Sequence, residues 1–186
     1  MKPLFILFFI LSGIAMTYGQ DKYNYVHFNK LTEVEGSGYV IATIEHRGKI
    51  AEKKEMFMLF INTTNGETRQ VDFPKDAYIH EMKQIKIDSL GINLIVLLTR
   101  TVNLNGKMGI DWADPMQVIV LSTDGKERKQ LTDDKFFVRN WTVNKKTGKI
   151  VITGHHDSNN NNRYDKADKN EISIFDLKTL ALVKKI

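Results

Sequence analysis

The same series of apolar strands and tight turns occurs three times in this chain of 186 residues, at intervals of about 55 residues. In each copy Val, Ile, Thr and aromatic residues alternate with polar ones, a spacing typical of strands with one buried face. Asn-Gly and Asp-Gly pairs end at Gly66 and Gly125 and supply the positive φ angles of hairpin turns. The repetition predicts an all-β fold of three consecutive four-stranded antiparallel units.

Each unit has four predicted strands in the same order. The first strands lie near 25–32, 82–88 and 138–143, and the second strands at 38–45, 93–100 and 149–154. The third strands lie at 55–61, 116–121 and 171–175, and the fourth strands at 67–73, 126–131 and 180–186. A long polar loop joins the second and third strands of each unit, and we expect function to lie in these loops.

Two hairpin segments resemble a known class of repeat. Residues 120–132, with the sequence Val-Leu-Ser-Thr-Asp-Gly-Lys-Glu-Arg-Lys-Gln-Leu-Thr, and residues 174–179 are similar to the outer hairpins of TolB-type and related bacterial β-propeller repeats. The resemblance implies a partial β-propeller with blade-like units. Closed propellers have about four to eight blades. An open fan, a ring completed by a second chain as a homodimer, and a β-sandwich or barrel are therefore alternatives.

The long loop of the third unit, residues 157–168, carries regularly spaced oxygen atoms. With Asp157 as position 1, side-chain oxygens fall at positions 1, 3, 5, 9 and 12, and position 7 offers a main-chain carbonyl; the residues are Asp157, Asn159, Asn161, Arg163, Asp165 and Asp168. Tyr164 is the apolar residue at position 8. This spacing resembles the calcium loops of EF-hands and dockerins, and the resemblance implies a structural Ca²⁺ held by those six residues.

The loop departs from the EF-hand pattern at two positions. Asn162 replaces the usual Gly at position 6, and Asn is the non-Gly residue that best tolerates positive φ. Asp168 replaces the bidentate Glu at position 12, which leaves three charged ligands and predicts a modest affinity, of about 10⁻⁴–10⁻³ M. The flanking runs read as strands, so we expect a calcium-clipped hairpin. A solvated Asn-rich turn without an ion is the alternative.

The N-terminus predicts export. Residues 1–19 combine a basic start, a short apolar run and small residues at Thr17 and Gly19, the layout of a secretory signal peptide. Residues 20–186 would then be a single β-repeat domain, secreted or periplasmic, with no stable membrane span after cleavage. An uncleaved anchor is the alternative. Export disfavours nucleic acid as a partner although the net charge is +5, and the absence of cysteine excludes disulfides.

No catalytic constellation emerges along the chain. There is no Gly-x-Ser-x-Gly elbow, the adjacent His155 and His156 would point to opposite faces of a strand, and we expect the four aromatic side chains of Trp112, Trp141, Phe136 and Phe137 to lie in the core. We therefore predict a non-enzymatic protein that binds an envelope or extracellular protein, or a glycan, through its long loops. The alternative is a small calcium-assisted hydrolase or lyase acting on envelope glycans or peptides.

Overall fold

The computed structural model describes residues 28, 30–43 and 56–186 and folds them into three four-stranded antiparallel sheets. The first sheet contains β1 (Lys30–Val34), β2 (Tyr39–Thr43), β3 (Phe57–Asn62) and β4 (Thr68–Asp72). The second contains β5 (Tyr78–Ile87), β6 (Ile92–Arg100), β7 (Gln117–Ser122) and β8 (Arg128–Gln130). The third contains β9 (Phe136–Asn144), β10 (Lys149–His156), β11 (Lys169–Asp176) and β12 (Ala181–Lys185).

The strands of each sheet are hydrogen-bonded in chain order. The predictions of an all-β fold and of three consecutive four-stranded antiparallel units are thereby confirmed. Helix among the described residues is confined to a single 3₁₀ turn, Asp88–Leu90, which ends at Gly91 with a φ of 63°. The partial propeller remains a prediction, because a stack of three sheets is also compatible with a sandwich-like arrangement.

The second sheet lies between the other two and is buried on both faces. On β6, Ile95 and Leu97 pack into a core shared with the first sheet, whereas Val96 and Leu98 pack into a core shared with the third. Successive side chains of a strand point to opposite faces, which explains the division. It also explains why the sequence of β6 is almost continuously apolar, since a strand covered on both sides has no polar face.

The third sheet contains a bulge at Gly154. The register between β10 and β9 shifts between Thr153 and Gly154, and a Cβ atom at Gly154 would lie 2.3 Å from the carbonyl oxygen of Phe137. Only a residue without a side chain allows the two strands to approach this closely. The bulge precedes the loop of residues 157–168 and sets the direction in which β10 enters it.

The predicted signal peptide, residues 1–19, lies outside the described residues, and the domain assigned to residues 20–186 remains a prediction. No helix in residues 28, 30–43 and 56–186 is long and apolar enough to cross a membrane.

Candidate cation-binding loop

Residues 157–168 connect β10 to β11 at the end of their hairpin. The two strands pair from Lys149 with Asp176 to His156 with Lys169. The loop therefore begins directly after His156 and ends directly before Lys169. Two residues in the loop, Asn160 and Asn162, have positive φ angles of 56° and 59°. Asn tolerates this left-handed conformation better than other residues with a side chain, and it lets the chain curl around its own carboxylates.

Asp157 is the innermost carboxylate of the loop. The residue is only 1% exposed, and its two oxygens accept the backbone N–H groups of Asn161 over 3.1 Å and of Asn162 over 2.9 Å. These bonds hold positions 5 and 6 of the loop over the carboxylate of position 1. Each carboxylate oxygen retains a second lone pair, so Asp157 can still coordinate a cation while it shapes the turn.

Asp168 closes the loop from its other end. It is 7% exposed and accepts the backbone N–H groups of Ser158 over 3.2 Å and of Asp165 over 2.8 Å. These bonds tie the first residues of the loop to its last ones. The carboxylates of Asp157 and Asp168 are therefore both directed into the ring of backbone that the loop forms.

Asp165 lies nearer to the surface and faces the amide groups of the loop. The side-chain amides of Asn159 and Asn161 donate to its Oδ2 atom. The backbone N–H of Ala167 and then these amides hold the pKa of Asp165 below its ordinary value, against a smaller opposing effect of burial. The amide oxygens of Asn159 and Asn161 accept the backbone N–H groups of Asn161 and Arg163. A 180° rotation of either amide would exchange that bond for an oxygen directed towards Asp165, where it could become a cation ligand.

The one ammonium that the described residues bring to this loop by a hydrogen bond, that of Lys135, donates to Asn160 over 2.8 Å and not to a carboxylate. Among the described residues, no Lys, Arg or His side chain forms an ion pair with Asp157, Asp165 or Asp168. All of the hydrogen bonds that they receive come from neutral N–H groups. A buried charge is unfavourable without a counter-charge, so the loop can accept a bound cation.

The long loop of the second sheet repeats the same arrangement of hydrogen bonds. Asp114 is 3% exposed and accepts the backbone N–H groups of Leu104 and Asp111, as Asp168 accepts those of Ser158 and Asp165. Sequence spacing alone did not reveal this equivalence, because the second loop lacks the full set of oxygen ligands. The detectable signal was a pair of Asp residues three positions apart in both loops, each with Ala directly before the second Asp.

The equivalent loop differs in charged residues at four positions, and at two of them Gly109 and Trp112 stand where the third loop has Arg163 and Lys166. Asn103 replaces Asp157, and Lys107 replaces Asn161. The Lys107 ammonium lies 3.4 Å from Asp111, the counterpart of Asp165. The second loop thus has one acidic residue fewer, and its lysine lies beside a carboxylate. The third loop contains Arg163 and Lys166, but among the described residues neither forms an ion pair with Asp157, Asp165 or Asp168.

The two histidines that precede the loop, His155 and His156, are engaged in other contacts and do not add nitrogen ligands for a transition metal. The ring of His155 packs edge-on against Tyr164 with centroids 4.6 Å apart, and its Nδ1 atom is buried without a hydrogen-bond partner. His156 lies with its Nε2 atom 3.6 Å from Asp133. Within the described part of the chain, no cluster of three or more His, Cys, Asp or Glu side chains could hold a metal ion. A cation in this loop would therefore depend on amide and carbonyl oxygens as well.

The aromatic side chains expected in the core divide between two environments. Phe136 and Phe137 are buried, at 2% and 6% exposed, and Trp141 packs partly buried against the core between the second and third sheets. Trp112 is instead 83% exposed, which contradicts the expectation that it is a core residue. It lies on the long loop between β6 and β7, where side-chain direction depends on the tertiary fold.

No protein-family profile matches the chain, and no curated protein matches it. Solved structures that it resembles include a chimera of apocarotenoid oxygenase and RPE65 and two forms of the Synechocystis apocarotenoid oxygenase, one cobalt-substituted and one with a Glu-to-Gln mutation. All three are 16% identical, with TM-scores of 0.37, 0.37 and 0.34. The alignments cover 80% of this chain but only 33–34% of those chains. The chain therefore spans about a third of their length.

These matches contradict the prediction of a non-enzymatic β-propeller-like protein that binds an envelope component, because the structures are of an oxygenase. A motif search finds groups that are close in sequence, whereas catalytic groups commonly converge from separate strands and loops. At this TM-score and identity the similarity assigns no activity to this chain. None of the three is a TolB-type, EF-hand or dockerin protein, so those resemblances remain predictions.

Proposed function

We propose that the chain is a metal-binding β domain in which residues 157–168 hold one cation, and that this cation is Ca²⁺. Asp157, Asn159, Asn161, Asp165 and Asp168 would supply side-chain oxygens, and Arg163 its main-chain carbonyl. All of these are hard oxygen donors, which suit Ca²⁺ or Mg²⁺ better than softer transition metals. Ca²⁺ accepts six to eight such ligands in irregular geometry, and a flexible loop of mixed Asp and Asn can provide them.

The observation that carries the proposal is the burial of Asp157 without an ion pair. The second loop provides the comparison, because there Asn103 replaces this residue and Lys107 neutralises the neighbouring Asp111. The same backbone arrangement thus places an ammonium beside Asp111 in one copy, and we infer that a cation from solution takes an equivalent role beside Asp165 in the other. A divalent ion would offset the mutual repulsion of three carboxylates within one turn.

The function of this ion would be to hold the end of the β10–β11 hairpin. Arg163 and Tyr164 lie at the outer bend of the loop, and Tyr164 packs against Phe137 of β9 with ring centroids 6.2 Å apart. A cation that orders the loop also orders this contact with the neighbouring strand. The metal is thus proposed as a structural component of the third sheet.

Calorimetric titration of the chelator-treated protein with CaCl₂ tests the proposal. We expect one binding event with a dissociation constant of about 10⁻⁴–10⁻³ M. Ca²⁺ at about ten times this constant should stabilise the fold by roughly 1.4 kcal/mol. For a domain of this size the melting temperature should rise by about 3–6 °C.

Two variants and one control separate the site from non-specific charge effects. Asp157→Ala and Asp165→Asn should each abolish the response to Ca²⁺, and Asp165→Asn does so without removing a buried group. Asp72→Asn removes the same charge from an exposed position on β4 and should leave the response unchanged. Absence of binding heat together with an unchanged melting curve would contradict the proposal and show that residues 157–168 are a solvated Asn-rich turn without an ion. Stronger binding of Mg²⁺ than of Ca²⁺ would contradict the assignment of calcium but not that of a cation.

A further inference from the structure

A cleft of about 570 Å³ lies between the long loops of the second and third sheets. Its floor contains apolar side chains of the two adjacent sheets, including Leu98 and Val138. Its walls carry the basic side chains Arg100, Lys107, Arg139 and Arg163, whereas Asp114 is its single acidic residue. Cavities of roughly 300–1,000 Å³ with an apolar floor and a few charged groups are typical of small-molecule sites.

The three guanidinium groups that line this cleft form no ion pairs with carboxylates of the described residues. Arg100, Arg139 and Arg163 form no ion pair with any residue in the described ranges. Arg100 donates through Nε to the carbonyl oxygen of Asp114 over 3.1 Å, and burial lowers its pKa, although Tyr78 and the charges of Asp114 and Asp111 partly oppose this. The carboxylate of Asp114 accepts backbone N–H groups instead. A planar guanidinium that is partly dehydrated and unpaired is well suited to bind an anion.

Aromatic rings lie beside these cations. Arg139 stacks over the ring of Tyr164, with its guanidinium carbon 4.2 Å from the ring centroid. Trp112, 83% exposed, stands in the wall formed by the other loop. An exposed indole is unusual in a domain with a well-packed core, and it offers a flat face to which a ring can bind. The cleft therefore combines anion-binding groups with flat apolar surfaces.

We propose that this cleft binds a small organic anion in which a carboxylate is attached to a six-membered ring with an apolar face, such as a uronic acid unit or an aromatic acid. Arg139 and Arg163 would contact the carboxylate, and Trp112 would contact the face of the ring. The cleft is contributed by two sheets and two loops, so the ligand would bridge them. This proposal does not depend on a cation in residues 157–168, although that loop supplies Arg163 to the cleft.

The test is a binding titration with four probes: a uronic acid disaccharide, benzoate, and the neutral analogues cellobiose and benzyl alcohol. We expect one of the anions to bind with a dissociation constant below about 1 mM and its neutral analogue to bind at least about tenfold more weakly. The two anions separate an acidic sugar from an aromatic acid as the natural type of ligand. Failure of both anions to bind, or equal binding of charged and neutral probes, would overturn the proposal.

Variants locate the binding within the cleft. Arg139→Gln and Trp112→Ala change exposed side chains outside residues 157–168. Each should weaken binding of the anion at least about fivefold, while the response of the melting temperature to Ca²⁺ is retained. Arg69→Gln removes one positive charge from the first sheet and should have no effect on the anion. Equal affinity in the Arg139→Gln and unchanged proteins would refute the site. Titration in the presence of EDTA distinguishes the two proposals: Arg100, Arg139 and Trp112 lie outside residues 157–168, so the anion should still bind without Ca²⁺, although more weakly because Arg163 and Tyr164 belong to the loop that the cation orders.

Discussion

The ammonium of Lys107 lies 3.4 Å from the carboxylate of Asp111, at the position of the second loop that Asn161 occupies in the third. The backbone N–H of Ala113 and the charge of Lys107 hold the pKa of Asp111 below its ordinary value, against an opposing effect of burial. Two loops with equivalent backbone hydrogen bonds therefore differ in what lies beside their carboxylates. In the second loop a lysine pairs with Asp111, whereas the third loop, whose Arg163 and Lys166 form no ion pair with its carboxylates among the described residues, is proposed to take a cation from solution.

This difference predicts that a second cation site can be created by two substitutions. Asn103→Asp combined with Lys107→Asn would give the second loop the same oxygen ligands at positions 1, 3, 5, 9 and 12 as the third loop. Calorimetry should then show two Ca²⁺ ions bound per chain, where the unchanged protein binds one. The melting temperature of the double variant should be lower in chelator and should recover with Ca²⁺.

The single substitution Asn103→Asp is the control for this experiment. Asn103→Asp alone retains the lysine, whose charge should exclude the second ion. A stoichiometry of one in the double variant would show that the equivalence of the two loops does not extend to ligand geometry. Loss of the first binding event would show instead that the second loop also supports the third.

We expect that adding even a small side chain in the turn between β7 and β8 will greatly reduce the stability of the fold. Gly125 has a φ of 70°, and a Cβ atom there would lie 2.7 Å from the ring of Phe60 in the first sheet. Gly125→Ala should therefore incur both backbone strain and overpacking, in total about 2–5 kcal/mol of lost stability. Denaturant unfolding measures the loss.

Gly66 is the matched control for this prediction. It has a φ of 76° in the corresponding turn of the first sheet, but a Cβ atom added there would have no heavy atom within 4 Å. Gly66→Ala should lose only the cost of the left-handed backbone, about 1–2 kcal/mol. Equal destabilisation by the two variants would mean that the contact between Gly125 and Phe60 does not hold the first two sheets together.

A similar argument applies to the bulge in the third sheet. Gly154→Ala would place its methyl group 2.3 Å from the carbonyl oxygen of Phe137, and a backbone atom cannot move aside as a flexible side chain can. We expect a loss of about 3 kcal/mol or more, together with weaker Ca²⁺ binding, because the bulge orients the loop of residues 157–168. A Gly154→Ala protein with unchanged melting temperature would contradict the close approach of β9 and β10.

Acid should remove a stabilising contribution of Asp124. Burial raises the pKa of this residue, but hydrogen bonds from Ser122 and Lys126 and the charge of Lys126 outweigh it and lower the pKa from 3.8 to about 2. A folded-state pKa below the unfolded value stabilises the protein above about pH 4, and the contribution is lost as the pH falls towards 2. The difference in melting temperature between the unchanged protein and Asp124→Asn should therefore shrink between pH 4 and pH 2.

The comparison with Asp124→Asn subtracts the titration of every other acidic residue. Asn retains the side-chain oxygen that accepts from Ser122 and from the backbone of Lys126, so the turn itself is preserved. A difference that stays constant across this pH range would show that the carboxylate of Asp124 contributes nothing through its charge.

The sequence was sufficient to predict the strands, because each depends on local properties. All three predicted second strands, at 38–45, 93–100 and 149–154, overlap β2, β6 and β10, since alternation and β-branching favour an extended backbone wherever the segment lies. The hairpin turns at Gly66 and Gly125 depend on positive φ angles that glycine adopts without strain. The spacing of oxygen atoms in residues 157–168 is likewise a local property, and the chain displays it without reference to the fold.

Relationships between the sheets were decided by tertiary structure alone. The burial of β6 on both faces follows from the packing of two other sheets against it, and the position of Trp112 beside Arg139 and Arg163 follows from how two distant loops meet. Neither is encoded by residues near one another in sequence. Local pattern determines which backbone conformation a segment prefers, whereas the neighbours of a side chain are set by the mutual packing of all three sheets.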